Sequence, residues 1–411
     1  MSDVRPVETA DARSLKTLPR NVWAALGTSF LTDISSEMIF NLVPLFLANV
    51  LGASTAVIGL IDGIAETTSS LLKAVSGWLS DRLGSRKWLA VSGYGLSALA
   101  KPLLYFTTSW PGVLAVRFAD RTGKGIRTAP RDALIADSVG PQQRGIAFGL
   151  HRAGDTAGAV VGLLIALLVV LATQAQALTL DRATFQTLVL LSVIPGLLAV
   201  IVLALGAREV AHGPRAAGTR LTFGALSGDF KRFLLVIGVF TLGNSSDAFL
   251  ILRAQERGLS VAGVLAMLLT FNLVYAVFSG PLGALSDRVG RRRLLVGGWL
   301  VYGALYLGFA AAADAWQVWA LFALYGLYYA AVEGTAKAFV ADLVPPAQRG
   351  TAYGFYNATV GLVALPASVL AGVLWQGVGG WPGFGPAAPF AAGAGLALAA
   401  CGLLVGWRGR R

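Results

Sequence analysis

Charged residues are scarce in this sequence: they account for 13% of its 411 residues, whereas hydrophobic residues account for 55%. In a soluble globular protein about 25% of residues are charged, so this chain lacks the polar side chains that would cover a surface facing water. Its mean hydropathy of +0.67 is correspondingly high. The composition excludes a soluble globular protein and predicts a polytopic membrane protein.

Cysteine and histidine are rarer still, with one and two residues. The lone Cys401 excludes a disulfide-built fold, and with only His151 and His212 beside it a soft-metal site is not expected. The glycine-flanked Lys124 lacks the full spacing of a phosphate-binding loop. Because the sequence also shows neither a metal cluster nor a nucleophile–base pair, we expect no metal, no cofactor and no enzymatic activity.

The net positive charge of +12 is distributed in a way that does not indicate nucleic-acid binding. Basic residues lie in short hydrophilic breaks between apolar runs rather than on one basic face. Alternate breaks, such as 51–55 and 107–110, are almost free of Lys and Arg. This positive-inside pattern predicts a multi-pass protein of a bacterial-type inner membrane with both termini in the cytoplasm. The polar first twenty residues predict no signal peptide.

Twelve apolar stretches are long enough to cross a bilayer, which requires about 20 residues each. The break at 207–231 is typical of a linker and divides the spans six and six. We expect a monomer with the lipid bilayer as its partner. The predicted spans are 22–48, 56–76, 88–107, 112–136, 146–172, 185–206, 233–252, 261–282, 294–312, 316–338, 351–376 and 388–406. The predicted segments are a cytoplasmic stretch at 1–21, six-helix bundles at 22–206 and 232–407 around the linker, and a tail at 408–411.

The two halves repeat one another in sequence. GWLSDRLGSRK, from Gly77 to Lys87, returns 206 residues later as GALSDRVGRRR, from Gly283 to Arg293. The stretch from Asp137 to Gly149 returns from Asp342 to Gly354 at an offset of 205. Repeated six-helix halves are typical of a transporter whose halves rock about a site near the membrane midplane.

These loop motifs, one in each half, resemble the signature of the major facilitator superfamily. Residues 117–125 are similar to a second motif of that family in the fourth span, with Arg121 in place of its first glycine. The resemblance implies an all-α membrane fold of twelve helices in two pseudo-symmetric six-helix bundles. Residues 120–137 (DRTGKGIRTAPRDALIAD) resemble a recurring bacterial subgroup of drug or metabolite transporters.

A third pattern of the family lies in the fifth span. Gly154, Gly158 and Gly162 match the glycines that the family's antiporters share, although Ala159 replaces the proline of that pattern. The resemblance therefore favours antiport, which would make this protein an exporter driven by an ion gradient. No ATPase module is visible in the sequence as an alternative energy source.

The resemblance also implies that the loop motifs act as gates. It places Asp81 against the positive start of the eleventh span, and brings Arg82 or Arg86 to Asp137; Asp287, Arg288 and Asp342 are expected to mirror these contacts. The predicted gating residues are Gly77, Asp81, Arg82, Gly84, Arg86, Asp137, Arg144, Gly283, Asp287, Arg288, Gly290, Arg292, Asp342 and Arg349.

Ionisable residues inside the spans predict where solute and ions bind, since such groups are costly in a bilayer unless they face a partner or water. Carboxylates recur four residues apart in the first two spans, on one helix face each. The predicted proton- or cation-coupling residues are Asp33, Glu37, Asp62, Glu66 and Asp247. The alternative is structural ion pairing, with Lys73, Lys101 and Lys337 as possible partners.

Positive charges form a stripe along the fourth span. Arg117, Arg121, Lys124 and Arg131 share one helical face, and Arg127 lies about 100° away from it. Arg131, nearest the end of the span, is expected to reach water. The predicted substrate-cavity residues are Arg117, Arg121, Lys124, Arg127, Tyr325, Tyr329 and Glu333, with packing as the alternative role for the tyrosines.

The sequence as a whole predicts a secondary active transporter, proton-coupled, that exports a small solute by antiport. One alternative is a proton-coupled transporter of an anionic metabolite that uses the basic fourth span. A transport-inactive membrane sensor is the alternative of another class.

Overall fold

The computed structural model describes residues 18–210, 224, 226–345 and 348–407, and within them we find helices and no β-strand. Each of the twelve predicted spans coincides with a helix. The helices are α1 (Arg20–Phe40, continued by Val43–Leu45 and Phe46–Val50), α2 (Thr55–Leu83), α3 (Lys87–Ala100, continued by Lys101–Phe106), α4 (Trp110–Ser138), α5 (Arg144–Gln174), α6 (Arg182–Gly206), α7 (Gly228–Gly243 and Ala248–Glu256), α8 (Val261–Val289), α9 (Arg291–Ala311), α10 (Ala315–Asp342), α11 (Arg349–Gln376) and α12 (Ala388–Gly406).

Nine of the helices in the described ranges are long and apolar enough to cross a membrane by composition alone. The exceptions are α2, α3 and α4, and at least two of them owe this to charge: α2 carries Asp62, Glu66 and Lys73, and α4 carries the basic stripe. Asp62 of α2 and Arg117 and Arg127 of α4 are buried inside the protein, where other charged or polar groups contact them. α2 and α4 are therefore helices from which a polar site can be built.

Two helices are interrupted near their middle. α1 ends at Phe40 and continues through a short turn, where Pro44 supplies no backbone N–H, into a π-helical segment. In α7 the residues 244–247 separate two helices, and the Ser246 hydroxyl accepts from the Ala248 N–H at the start of the second. Broken helices expose backbone and polar side chains at membrane depth, which is tolerated where they line a cavity.

The glycine pattern of α5 is explained by close packing. At Gly158 and Gly162 an added Cβ would collide with the carbonyl oxygens of Phe30 and Ile34, one turn apart on α1. The glycines therefore let α5 lie directly against α1, and this contact fixes the face of α1 that carries Asp33 and Glu37. A packing role accounts for the pattern in this structure without reference to antiport.

The two halves meet at one end and separate at the other. At the closed end, Thr55 of α2 donates to the Gly372 carbonyl of α11 (2.9 Å), and Gln255 bonds with Asn49 across the halves. Towards the other end, which carries both loop motifs, a Cβ added at Gly350 or Gly354 of α11 would meet no atom within 4 Å. The structure is therefore open on the side of the loop motifs.

Candidate functional site

A cavity of about 420 Å³ lies between the halves, within the range of small-molecule sites. Helices α1, α2 and α4 form one wall, and α7, α10 and α11 form the other. The structure brings together eleven of the twelve residues that the sequence predicts for coupling and substrate binding: Asp33, Glu37, Asp62, Glu66, Arg117, Arg121, Lys124, Arg127, Asp247, Tyr325 and Tyr329.

Arg117 is the deepest cation of the site. It is 5% exposed, and its Nη2 donates to Asp62 Oδ1 at 2.8 Å. Its guanidinium lies over the Phe40 ring at 4.5 Å, an arrangement that attracts a cation to the ring face. Among the described residues, Nε and Nη1 of Arg117 have no hydrogen-bond partner although both are buried. The fold therefore leaves two of the strong donors of Arg117 unsatisfied.

One turn further along α4, Arg121 lies between two carboxylates. Its Nη1 is 3.5 Å from Glu66 Oε1, and its Nε is 4.0 Å from Asp120 Oδ2. These contacts pair two of the cavity acids with cations, as the Arg117–Asp62 bond pairs a third. The alternative of structural ion pairing thus describes Asp62 and Glu66 in this state.

The remaining three acids lack a cation partner within ion-pair distance in the described part of the chain. Glu37 accepts from the Asn41 side chain at 2.7 Å, and Asp247 accepts from the Tyr325 hydroxyl at 3.2 Å. Asp33 also faces the cavity. These acids lie on α1 and at the break of α7, the two corresponding helices of the repeat.

The opposite wall is aromatic. Tyr325 and Tyr329 of α10 face the cavity and pack edge to face at 5.9 Å. Behind them Tyr302 and Tyr306 of α9 stack at 4.0 Å, and the Tyr302 hydroxyl donates to the Gly243 carbonyl at the end of the first part of α7. Tyr325 and Tyr329 therefore both line the cavity and pack against other aromatic residues, the two roles considered for them.

A hydrogen bond across the halves involves a residue that sequence reasoning missed. The Ser246 hydroxyl, at the break of α7, donates to Asp62 Oδ2 at 2.8 Å, while Oδ1 of the same carboxylate binds Arg117. Asp62 therefore connects the deepest cation of one half to the broken helix of the other. The signal available in the sequence was the stretch Ser35-Ser36-Glu37 of the first span, which returns in the seventh span as Ser245-Ser246-Asp247.

Glu333, predicted for the cavity, lies outside its lining. It accepts from Tyr275 at 2.8 Å, pairs with Lys337 at 3.0 Å and approaches Arg152 of the other half at 3.4 Å. The prediction was wrong because the Glu333 carboxylate contacts Tyr275, Lys337 and Arg152 instead of the cavity. Lys101, proposed as a partner for an acid, instead donates to two serine hydroxyls of α1.

Two cations of α4 also differ from expectation in their surroundings. Arg127 reaches the cavity edge, but its Nη1 donates to Ser97 at 2.8 Å and its guanidinium lies over the Tyr94 ring at 4.4 Å. Arg131, expected in water, is turned inward: it binds Asp132 at 2.8 Å and Ser29 at 3.1 Å. Both therefore hold α4 against its neighbours.

The loop motif of the first half forms the predicted cluster. Arg86 is 3% exposed and lies 2.6 Å from Asp81 and 3.4 Å from Asp137. Arg82 instead lies over the Trp78 ring at 5.4 Å. The Asp81 side chain is 53% exposed and, among the described residues, is not at the start of α11, because this end of the molecule is open.

Glu209, which the sequence analysis did not consider, caps the same loop. Its carboxylate accepts from the backbone N–H groups of Arg86 (2.6 Å) and Lys87 (3.2 Å) at the start of α3. A carboxylate is stabilised there by the free N–H groups and by the helix dipole. The segment after α6 thus contacts the gate of its own half.

The second loop motif is arranged differently. Asp342 pairs with Arg291 at 2.5 Å rather than with Arg288, and Arg292, the counterpart of Arg86, donates to main-chain carbonyls at the end of α12. The predicted contact of Asp342 was therefore wrong in its partner. Arg291, the first residue of α9, binds this carboxylate in place of Arg288. Gly84 and Gly290 have positive φ and lie in the turns between α2 and α3 and between α8 and α9.

The other predicted gate residues are placed as follows. Arg144 and Arg349 are exposed at the starts of α5 and α11, and Gly77 lies where α2 packs near Ala129 of α4. Gly283 of α8 has open space beside it. The side chain of Asp287 lies outside the described residues.

Known proteins resemble the chain over nearly its full length. A sequence model of the Major Facilitator Superfamily matches residues 25–269 and, a second time, residues 233–411. An uncharacterized MFS-type transporter of Methanocaldococcus jannaschii is 38% identical over 371 residues, which cover 88% of this chain and 90% of that protein. The multidrug resistance protein MdtH of Aeromonas hydrophila is 29% identical over 143 residues, 35% of this chain and 36% of that protein.

Among solved structures, a mutant of the nucleoside transporter NupG aligns with a TM-score of 0.77 and 12% identity, over 94% of this chain and 99% of that one. At that identity the likeness shows the fold alone. It confirms the predicted fold class.

Proposed function

The chain belongs to the Major Facilitator Superfamily, and we propose that it is a proton-coupled secondary active transporter that exports a small solute by alternating access. The membrane-embedded, multi-pass character of the protein follows from the family and the fold. The coupling ion, the direction and the solute belong to the proposal.

The observation that carries the proposal is the set of unpaired carboxylates in the cavity. Asp33 and Glu37 on α1 and Asp247 on α7 face a space between the halves and lack a cation at ion-pair distance within the described residues. A carboxylate in such a place exchanges a proton more readily than one held by an arginine. Protonation at the contact between two moving halves is a direct way to couple a proton to the movement.

Export is supported by one further observation. The multidrug resistance protein MdtH of Aeromonas hydrophila is similar over about a third of the chain, whereas packing against α1 already explains the glycine pattern of the fifth span. We place the protein in the inner membrane as a monomer, with both termini and the open end of the structure in the cytoplasm. In this orientation the open state is the one that loads an exported solute.

A second candidate is transport of an anionic metabolite. The guanidinium groups of Arg117 and Arg121 in the cavity lining favour it, since planar guanidinium donors fit carboxylate and phosphate groups. The cavity lining nevertheless contains six carboxylates and four cations, so its formal charge is negative before any proton binds. That balance makes a neutral, cationic or zwitterionic solute the better fit.

Reconstitution into vesicles that enclose a pH-sensitive dye tests the proposal. A panel of neutral, cationic, zwitterionic and anionic solutes is screened by counterflow, which requires only exchange. We expect at least one solute to exchange and to move protons in the opposite direction when a gradient is applied. Movement of protons together with the solute would replace export by uptake, and an absence of counterflow for any solute would favour the sensor.

A further inference from the structure

Outside the cavity, a buried polar cluster joins α1, α3, α4 and α5. His151 of α5 is 4% exposed, and its Nε2 lies 2.8 Å from the Ser29 hydroxyl of α1. Its Nδ1 lies 3.6 Å from Asp155 Oδ2, one turn along the same helix. We infer that His151 and Asp155 form a proton-binding site outside the cavity lining, which holds one exchangeable proton between them.

The cluster can remain hydrogen-bonded in both protonation states. With a neutral imidazole, the Ser29 hydroxyl donates to Nε2; with a charged imidazole, Nε2 donates to Ser29, and Ser29 donates to the Tyr94 hydroxyl, which is 3.1 Å away. Arg131 donates to the Ser29 oxygen at 3.1 Å in either case. A purely structural histidine does not need a partner that can reverse its role.

Asp155 provides the second observation. Its Oδ1 is buried and has no hydrogen-bond partner in the described part of the chain, while Oδ2 faces the histidine. An ionised carboxylate oxygen that is buried without a donor is costly, whereas a neutral carboxyl needs fewer donors around it. A proton held between Oδ2 and Nδ1 neutralises the carboxylate and therefore relieves the cost at Oδ1.

The surroundings of the pair contain charges of both signs. Asp33 of α1, Arg131 of α4 and Arg152 of α5 are the charged groups that act on it, and Tyr94 of α3 is the other titratable neighbour. Because Arg131 also pairs with Asp132, and Arg152 with Glu333, the pair is not committed to one charge by its neighbours. The proton is then shared, and its binding belongs to the pair rather than to either residue.

A contact between the two halves lies close to the His151–Asp155 pair. Arg152, three residues before Asp155 on α5, reaches across the halves to Tyr275 (3.0 Å) and Glu333 (3.4 Å). Asp155 and Glu333 therefore compete for one guanidinium, since side chains three apart on a helix are neighbours. Protonation of Asp155 leaves Arg152 to Glu333 and strengthens the link between the halves; loss of the proton weakens that link.

The chain is well suited to a direct test, because His151 and His212 are its only histidines. The His212→Gln variant, with ¹⁵N-labelled histidine, is titrated by NMR from about pH 4 to about pH 9, which brackets the ordinary pKa values of Asp and His. We expect one pH transition in the imidazole nitrogens. It should move by at least about one pH unit, or vanish, in Asp155→Asn, and stay in place in Asp181→Asn, a matched change at an exposed residue of the closed end.

Two results would overturn the inference: imidazole signals that do not change across the range, or a transition with the same midpoint in Asp155→Asn and Asp181→Asn. Ser29→Ala adds a check that does not alter the pair itself, and we expect it to shift the transition by removing the reversible partner. None of these readouts requires transport. Failure of proton-coupled export would leave them unchanged, and their failure would leave the cavity acids as the coupling site.

Discussion

The N-terminal half and the C-terminal half line one cavity with different side chains. α1, α2 and α4 contribute five carboxylates and all four cations, whereas the C-terminal wall contributes Asp247, hydroxyls and two tyrosines. The loop motifs differ as well: Arg86 is buried between two acids, but its counterpart Arg292 binds main-chain carbonyls. The repeat has thus kept the backbone plan while the charge chemistry of the cavity became concentrated in one half.

Each half also contains a deeply buried arginine, and the two serve different purposes. Arg253 of α7 donates to the carbonyls of Phe309 and Ala312, which holds a helix end, and it has no free donor aimed at the cavity. Arg117 binds one carboxylate and leaves two donors free. Under the proposed function we therefore expect Arg117 rather than Arg253 to bind the solute, because the fold uses fewer of its donors.

The largest expected effect is a difference in transport between variants of Arg117 and Arg253. Arg117→Lys should abolish transport while membrane expression stays normal, because lysine keeps the charge but lacks the planar fork. Arg253→Lys should lower thermal stability and leave transport per folded molecule near normal. Solute exchange in vesicles, normalised to folded protein, measures both. Near-normal exchange by Arg117→Lys would show that the site needs only a positive charge.

Removal of Arg117 altogether should also destabilise the protein. Arg117→Ala leaves Asp62 buried beside no cation, a change that costs about 3–5 kcal/mol. The double variant Asp62→Ala/Arg117→Ala should recover most of that stability but not transport. Thermal unfolding in detergent supplies the stability, and recovery of transport in the double variant would contradict the assigned role of Arg117.

The two loop motifs are expected to differ in how much stability they lose on mutation, and this effect is of intermediate size. Asp137→Asn removes a partner of the buried Arg86 and should cost a few kcal/mol of stability, on the order of breaking a buried pair. Asp342→Asn acts on a side chain that is 51% exposed and should cost about 0–1 kcal/mol. Equal losses in thermal unfolding would show that the two loops are equivalent despite their different geometry.

Asp81→Asn should shift the balance between the open and closed states by the smallest free energy, although it also removes a partner of the buried Arg86 and with it some stability. Asp81 is half exposed in the open state and is expected to meet the start of α11 only when this end closes. Losing that contact with the helix dipole is worth about 0.3–1 kcal/mol, which shifts the equilibrium towards the open state without abolishing binding. Spin labels at Gln142→Cys and Arg293→Cys, with Cys401→Ser, report the opening. An unchanged distance distribution would reject the gate assignment.

Hydropathy and the repeat predicted the fold well, because membrane depth imposes helices of a certain length whatever their partners. Charges inside spans predicted nine cavity residues for a similar reason: each must face a polar space. What could not be predicted is which charges pair. The Ser246–Asp62 bond joins residues 184 positions apart in the sequence, and Glu333 contacts Tyr275 and Arg152 on other helices. Such choices depend on packing distances that no local pattern encodes.

The central claim is that unpaired acids on α1 and α7 couple protons to movement, and Glu37→Gln tests it most directly. With a solute identified by counterflow, exchange at equal pH is compared with transport driven by a pH gradient in the same vesicles. Glutamine keeps the hydrogen bond to Asn41 available but cannot release a proton. The account predicts that exchange persists while gradient-driven transport and its pH dependence are lost. Gradient-driven transport at the wild-type rate would contradict it.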